Sequence, residues 1–158
     1  MTTGGQGPST YEFDPAALSC KVDAEIRGET AAIAPVVEKI MVAVGQMGCG
    51  ADHDFEIRLS LSEALANAVE HGCKNDPDKL VQICVECDPD RGILIVVKDP
   101  GPGFDPSQIP SPVEGKRIFA EGGRGVFIIN QLMDEVHYEQ GGTQIRMRKR
   151  GACPSKVP

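Results

Sequence analysis

Residues 62–72 read Ser-Glu-Ala-Leu-Ala-Asn-Ala-Val-Glu-His-Gly, and this stretch decides how the fold is interpreted. At about 100° per residue, a helix through it has two distinct faces. The apolar face holds Leu61, Ala64, Leu65, Ala68 and Val69, and the polar face holds Glu63, Asn67, Glu70 and His71. A solvated surface is one interpretation of the polar face. However, Asn is unfavourable in the interior of a helix. The presence of Asn67 one turn after Glu63 therefore indicates that the polar face has a function.

A second motif, Asp99-Pro-Gly-Pro-Gly-Phe-Asp105, directly follows the apolar run 93–98. A tight turn would explain this composition. A carboxylate at the end of a buried strand can instead accept a hydrogen bond from the exocyclic amine of a ligand. Gly101 and Gly103 would let a planar molecule approach the backbone because they carry no side chain.

A third motif, Glu121-Gly-Gly-Arg-Gly125, precedes a helical pattern over residues 126–133. It is either a simple junction between loop and helix or an anion site. Backbone N–H groups at a helix N-terminus favour bound anions, and Arg124 would add positive charge. The motif therefore indicates a second place where a ligand could bind.

The remaining pattern predicts one domain, residues 11–150, with tails at 1–10 and 151–158. Helical spacing over residues 33–47 predicts a first helix, and Asp52 or Asp54 would cap the second. Strands are predicted at 18–26, 80–87, 93–98, 135–139 and 143–149, the last four as two hairpins. The order predicts an α/β (α+β) two-layer sandwich, in which a mixed, mainly antiparallel sheet carries helices on one face.

Composition excludes several classes of protein. The 158 residues carry a net charge of −7 with only seven aromatic residues and no Trp, which disfavours direct binding of nucleic acid. No signal peptide or membrane span is visible, so we expect a cytoplasmic protein without a membrane partner. Of the six cysteines, only Cys84 and Cys87 have a metal-like spacing, but on a strand they would face opposite ways. We expect reduced cysteines that serve packing.

Together, the three motifs resemble the N-box, G1 box and G2 box of the histidine-kinase-like (GHKL) ATPase superfamily. Within it, the chain looks most like the anti-sigma factor serine-protein kinases, and the likeness covers about residues 15–149. The resemblance implies the Bergerat fold of that superfamily, with ATP and Mg²⁺ as cofactors and an ATP lid at residues 104–122.

The resemblance also assigns roles to residues. Glu63 matches the general base, Asn67 the ligand of Mg²⁺, and Asp99 the group that recognises the adenine amine. Thr143 matches a hairpin threonine near the base. The implied nucleotide-binding set is Asn67, His71, Asp99, Gly101, Gly103, Phe104, Gly123, Arg124, Gly125, Val126 and Thr143.

The function implied by the resemblance is a serine/threonine protein kinase that phosphorylates an anti-sigma factor antagonist, a STAS-domain protein, and acts as an anti-sigma factor. A sigma factor would be a second partner, and a homodimer is implied by the family alone. Two alternatives stay open. One is a non-catalytic binding module that switches partners with ATP, and the other is a detached ATP-binding domain of a histidine kinase.

Overall fold

The sheet is formed by five strands whose order is β1-β2-β3-β5-β4. The structure is a computed structural model and describes residues 20–46, 48, 51–88, 91–103 and 123–151. The strands are β1 (Cys20–Arg27), β2 (Leu80–Asp88), β3 (Gly92–Lys98), β4 (Glu135–Glu139) and β5 (Gln144–Lys149). All four pairings between these strands are antiparallel, whereas the sequence predicted a mixed, mainly antiparallel sheet.

One face of the sheet carries the hydrophobic core. Residues paired across the strands, such as Val85, Ile95 and Met147, share this face and are almost completely buried. β3 is central in the strand order, so the sheet encloses it on both sides. This position explains why its sequence is a nearly unbroken apolar run and not an alternating one.

In the described part of the chain, three helices cover the same face: α1 (Ile33–Gln46), α2 (Asp54–Asn67) and α3 (Gly123–Leu132). Their buried residues and those of the sheet form one core cluster. The predicted two-layer sandwich with helices on one face is therefore confirmed. The predicted tail at 1–10, the predicted lid at 104–122 with Phe104, and all of the predicted tail at 151–158 except Gly151 lie outside the described residues. The proposed domain limits therefore stay a prediction.

The start of α2 differs from the sequence prediction. Neither Asp52 nor Asp54 caps the helix, because the N-cap position is occupied by His53, which makes no capping hydrogen bond through its side chain. Asp52 lies in a 3₁₀ turn (Ala51–His53), and Asp54 is the first helical residue. The acidic first turn, Asp54 and Glu56, instead stabilises the helix through its dipole.

The other end of α2 continues as a π-helical turn, Ala68–Gly72. The wider turn is closed by a hydrogen bond from the Cys73 N–H to the Ala68 oxygen, 2.8 Å long. Beyond it, Lys74 and Asn75 have positive φ values of 54° and 59°. The chain thus reverses sharply at the end of the helix that carries the polar face. π turns of this kind are frequent at functional sites.

The cysteines follow the packing interpretation where they are described. Cys73 and Cys87 are completely buried, and Cys84 lies on the other face of β2 and is half-buried. The prediction that Cys84 and Cys87 point to opposite faces is confirmed, so the two thiols do not form a common metal site. Within the described residues, no helix is long and apolar enough to cross a bilayer.

Candidate functional site

The polar face of α2 is positioned by the burial of its opposite face. Leu61, Leu65 and Val69 are fully buried in the core, which fixes the rotation of the helix. Glu63 and Asn67 are consequently directed away from the sheet and are half-buried. The helical wheel drawn from the sequence is confirmed for these residues.

The N-terminus of α3 lies directly against Glu63 and Asn67. Gly125 is buried in its first turn. An ideal Cβ on Gly125 would lie 2.9 Å from Glu63 Oε1 and 3.2 Å from Asn67 Nδ2. A larger residue would therefore push against both side chains. The first N–H groups of a helix have no partner within the helix, so the free donors of α3 begin beside a carboxylate and a carboxamide.

The structure starts α3 at Gly123, three residues before the helix predicted from sequence. Glycine weakens helix interiors, so the sequence pattern assigned Gly123, Arg124 and Gly125 to a loop. In the structure they form the first turn, where the N–H groups are unpaired in any case. Val126 is buried in the same turn. The side chain of Arg124 is outside the described part of the structure.

Asp99 lies at the other end of the site, where β3 ends. Its N–H donates to the Thr143 oxygen at 2.9 Å, and its Oδ1 accepts a hydrogen bond from the Gly101 N–H at 2.8 Å. Burial raises the pKa of the Asp99 carboxyl, and the bond from Gly101 partly opposes this shift. One carboxylate oxygen is therefore occupied by the backbone, and the other is the acceptor that a ligand amine would use.

The hairpin between β4 and β5 lies next to this end. Gly103 has φ 78°. A Cβ added to it would lie 2.9 Å from the Gly141 carbonyl carbon and 3.2 Å from Thr143 Cγ2. Its left-handed backbone and its close neighbours both require glycine. The Thr143 hydroxyl donates to the Gln140 oxygen at 2.8 Å. The structure thus brings Thr143, which is distant in sequence, next to Asp99 and Gly103.

The two ends of the site are joined by α2 itself. Gly72 touches Asp99 and Gly101, while Glu63 and Asn67 touch Gly125. From Asn67 to Gly72 the helix advances about 7 Å, at roughly 1.5 Å per residue. The contact between α2 and Asp99 was missed in the sequence, where Gly72 was taken only as the end of a helix. His71, by contrast, is exposed in the π turn.

The donor set suits a magnesium phosphate complex better than a protein-bound metal cluster. No group of three or more His, Cys, Asp or Glu side chains in the described residues could hold a metal ion. Mg²⁺ usually takes one or two protein oxygens together with water and substrate phosphates. The Asn67 amide oxygen, beside the helix N-terminus at Gly125, fits this pattern.

Comparison with known proteins agrees with this geometry. The family model described as "Histidine kinase-like ATPase domain" matches residues 26–149. The serine-protein kinase RsbW of Staphylococcus epidermidis is 36% identical over 110 residues, which cover 65% of this chain and 69% of the relative. RsbW of Staphylococcus aureus is also 36% identical over 110 residues, covering 63% and 69%. The resemblance drawn from the three motifs is thereby confirmed: the chain belongs to the histidine-kinase-like ATPase family and is related within it to serine-protein kinases.

Proposed function

We propose that the chain is a serine/threonine protein kinase that uses ATP and Mg²⁺ to phosphorylate an anti-sigma factor antagonist. The observation that carries the proposal is the contact of Glu63 and Asn67 with Gly125 at the start of α3. This contact puts a carboxylate, a carboxamide oxygen and free backbone donors at one point. The names of the relatives support a protein substrate with an acceptor serine.

In this proposal, the nucleotide lies along α2 with its base at Asp99. The free oxygen of the Asp99 carboxylate accepts a hydrogen bond from the adenine amine, and Gly101, Gly103 and Thr143 form the surroundings of the base. The backbone N–H groups at the start of α3 bind the phosphates. The residues assigned to the phosphate end are Asn67, Gly123, Arg124 and Gly125. His71, Phe104 and Val126 are assigned to positions next to the nucleotide by the resemblance alone.

The chemistry assigned to this site is phosphoryl transfer. Bound Mg²⁺ would offset the charge of the phosphates, and Asn67 would be its protein ligand. Glu63 takes the proton from the acceptor hydroxyl as the new oxygen–phosphorus bond forms and the bond to the leaving ADP breaks. Donors at a helix N-terminus stabilise the charge on the phosphoryl oxygens without reorganising. A carboxylate one helical turn from the metal ligand is therefore suitably placed for a general base.

The proposed partners come from the family and not from the geometry. We infer a STAS-domain antagonist as the phosphate acceptor and a sigma factor that the kinase binds in its place, with a homodimer as the working assembly. The net charge of −7 supports protein partners over direct contact with nucleic acid. A cytoplasmic location follows from the same assignment.

The decisive experiment measures phosphate transfer from ATP, in the presence of Mg²⁺, to the antagonist recovered by co-purification. We expect an acid-stable phosphoester. Glu63→Gln should lower the transfer rate by about 100-fold or more, in the usual range for loss of a general base, with ATP affinity unchanged. Asn67→Ala should weaken binding of ATP in Mg²⁺ but much less in EDTA.

Glu70→Gln is the matched control because Glu70 is an exposed carboxylate seven residues further along the chain. It should transfer phosphate at the normal rate. Full activity of Glu63→Gln would contradict the assigned base. ATP-dependent binding of a partner without any phosphorylated product would favour a non-catalytic module, and acid-labile phosphate would favour a histidine kinase domain.

A further inference from the structure

The π turn after α2 and the loop after β3 pack so closely that neither Gly72 nor Gly101 has room for a side chain. An ideal Cβ on Gly72 would lie 2.6 Å from Asp99 Cβ and closer still to Asp99 Cγ and Oδ1. From the opposite side, a Cβ on Gly101 would lie 2.7 Å from Gly72 Cα. Real Cβ atoms essentially never approach other atoms within 3.0 Å. The backbone at Gly72 therefore packs directly against the side chain of Asp99.

The conformation of Gly72 does not itself require glycine. Gly72 belongs to the π turn and is not among the glycines with positive φ. Any L-residue could adopt this backbone, although Gly in a helical turn weakens it relative to Ala. What requires glycine is the space that Asp99 takes up.

Asp99 is held in place through its backbone. Its backbone N–H donates a hydrogen bond to the Thr143 oxygen at 2.9 Å. Its Oδ1 accepts a hydrogen bond from the Gly101 N–H. A methyl group at position 72 would therefore turn the carboxylate aside, and it would also press on the Asp99 Cβ, which side-chain rotation does not move, so the loop backbone would shift as well.

We propose that Gly72 is a positioning residue that sets the direction of the Asp99 carboxylate and thereby the preference for a base with an exocyclic amine. The inference rests on the proposed function, in which Asp99 accepts that amine. A hydrogen bond weakens steeply once its angle falls below about 120°, and a buried amine without an acceptor is costly. Turning the carboxylate therefore removes selectivity for the base without touching the phosphate end.

The test compares the affinities for ATP and for inosine triphosphate, which has a carbonyl in place of the amine. Four proteins are needed: the unchanged chain, Gly72→Ala, Asp99→Ala and the double variant. Gly72→Ala should reduce the preference for ATP by about tenfold or more, as expected when one hydrogen bond at a buried site is lost. In the Asp99→Ala background, the same change should alter the ATP affinity by less than about threefold, because groups that act through one contact are non-additive.

Gly45→Ala is the matched control because Gly45 is helical and an added Cβ meets nothing within 4 Å. It should leave both affinities unchanged. If Asp99→Ala keeps the preference for ATP, the role proposed for Asp99 is wrong. If Asp99→Ala removes the preference but Gly72→Ala weakens both nucleotides equally, or adds fully to Asp99→Ala, the inference on Gly72 alone is overturned.

A melting curve shows whether Gly72→Ala folds. Should it not fold, Gly101→Ala takes its place because its Cβ would press on the Gly72 backbone from the loop side and so disturb the same contact between the π turn and the loop. The same loss of preference is expected, again without addition to Asp99→Ala. An equal loss of ATP and inosine triphosphate affinity in this variant would overturn the inference.

Discussion

Gly125 lies against the carboxylate of Glu63, although the two residues are 62 positions apart in the sequence: a Cβ on Gly125 would be 2.9 Å from Glu63 Oε1. The atoms in the way are the ends of two flexible side chains, Glu63 and Asn67. Their displacement would cost little folding free energy. In a site that transfers phosphate, the same displacement would slow the reaction, because misplacing a reacting group by about 1 Å can lower the rate by about 100-fold.

We therefore predict that Gly125→Ala separates stability from activity. Alanine favours a helix over glycine by up to about 1 kcal/mol, so the melting temperature should stay the same or rise. The rate of phosphate transfer should fall by about tenfold or more. Thermal melting and a kinase assay on the same preparation measure both effects, and an unchanged transfer rate would show that the close approach is not needed.

Gly45→Ala provides the control for the helix propensity of alanine. Gly45 is exposed in α1, with open space around its missing Cβ. The substitution should stabilise the fold by about 0.5–1 kcal/mol and leave transfer unchanged. Equal losses of activity in both variants would indicate an effect on the whole fold.

The sequence predicted those features that depend on local periodicity. The buried arc of α2, including Leu61 and Leu65, follows from spacing alone, and the apolar run of β3 follows from its place in the sheet. The family motifs predicted that Asn67, Asp99 and Gly125 belong to one site. What periodicity does not encode is the pairing of β3 with β5, which brings Thr143 to Asp99.

Boundaries and close contacts were the parts missed. Local propensity argued against glycine in a helix, yet tertiary contact with α2 sets the start of α3 at Gly123. The π turn involves a hydrogen bond from the Cys73 N–H to the Ala68 oxygen, five residues back, and such a shift in hydrogen bonding leaves no mark in the apolar pattern. The close approach of Gly72 to Asp99, 27 residues away in the sequence, is a tertiary contact that no local pattern encodes.

Asp99→Asn should melt at a higher temperature than the unchanged chain at pH 7–8 without nucleotide. Burial raises the pKa of Asp99 in the folded state above its ordinary value of 3.8. The stability that this carboxyl contributes is therefore present below its unfolded pKa and is lost as pH rises through the folded pKa. Asparagine keeps an oxygen for the Gly101 N–H and removes the cost of the buried charge.

Melting curves from pH 4 to 8 check this prediction. The advantage of Asp99→Asn should shrink as the pH falls, because the aspartate of the unchanged chain becomes protonated. Glu70→Gln controls for the loss of one negative charge at an exposed position. An advantage that grows toward pH 4 would contradict the sign argued here.

Lys74→Gly should stabilise the fold without affecting ATP binding. Lys74 is exposed and has φ 54°, a conformation that costs a residue with a Cβ roughly 1 kcal/mol. Glycine adopts it freely but is also more flexible in the unfolded chain, so we expect a net gain of about 0.5 kcal/mol. Urea denaturation measures the gain.

Lys79→Gly is the control, because Lys79 is exposed and its φ is not positive. This substitution should be destabilising. A loss of stability in Lys74→Gly would contradict the prediction.

The thiols of Cys84 and Cys87 should react far more slowly with a thiol reagent in the folded protein than in the unfolded chain. Burial raises both pKa values from 9.0 to about 12, and the Cys84 thiol also donates to Glu86 Oε1 at 3.8 Å. At pH 8 only about one thiol in 10⁴ would be ionised at such a pKa, and the thiolate is the reactive form.

Labelling at pH 8 with and without urea, followed by mass spectrometry of the cysteine peptides, compares the rates at each site. Cys87, which is completely buried, should be slower than half-buried Cys84, since reaction there also needs local opening. Rates at Cys87 within about tenfold of the unfolded chain would mean that the core face of β2 opens readily, contrary to its central place in the packing.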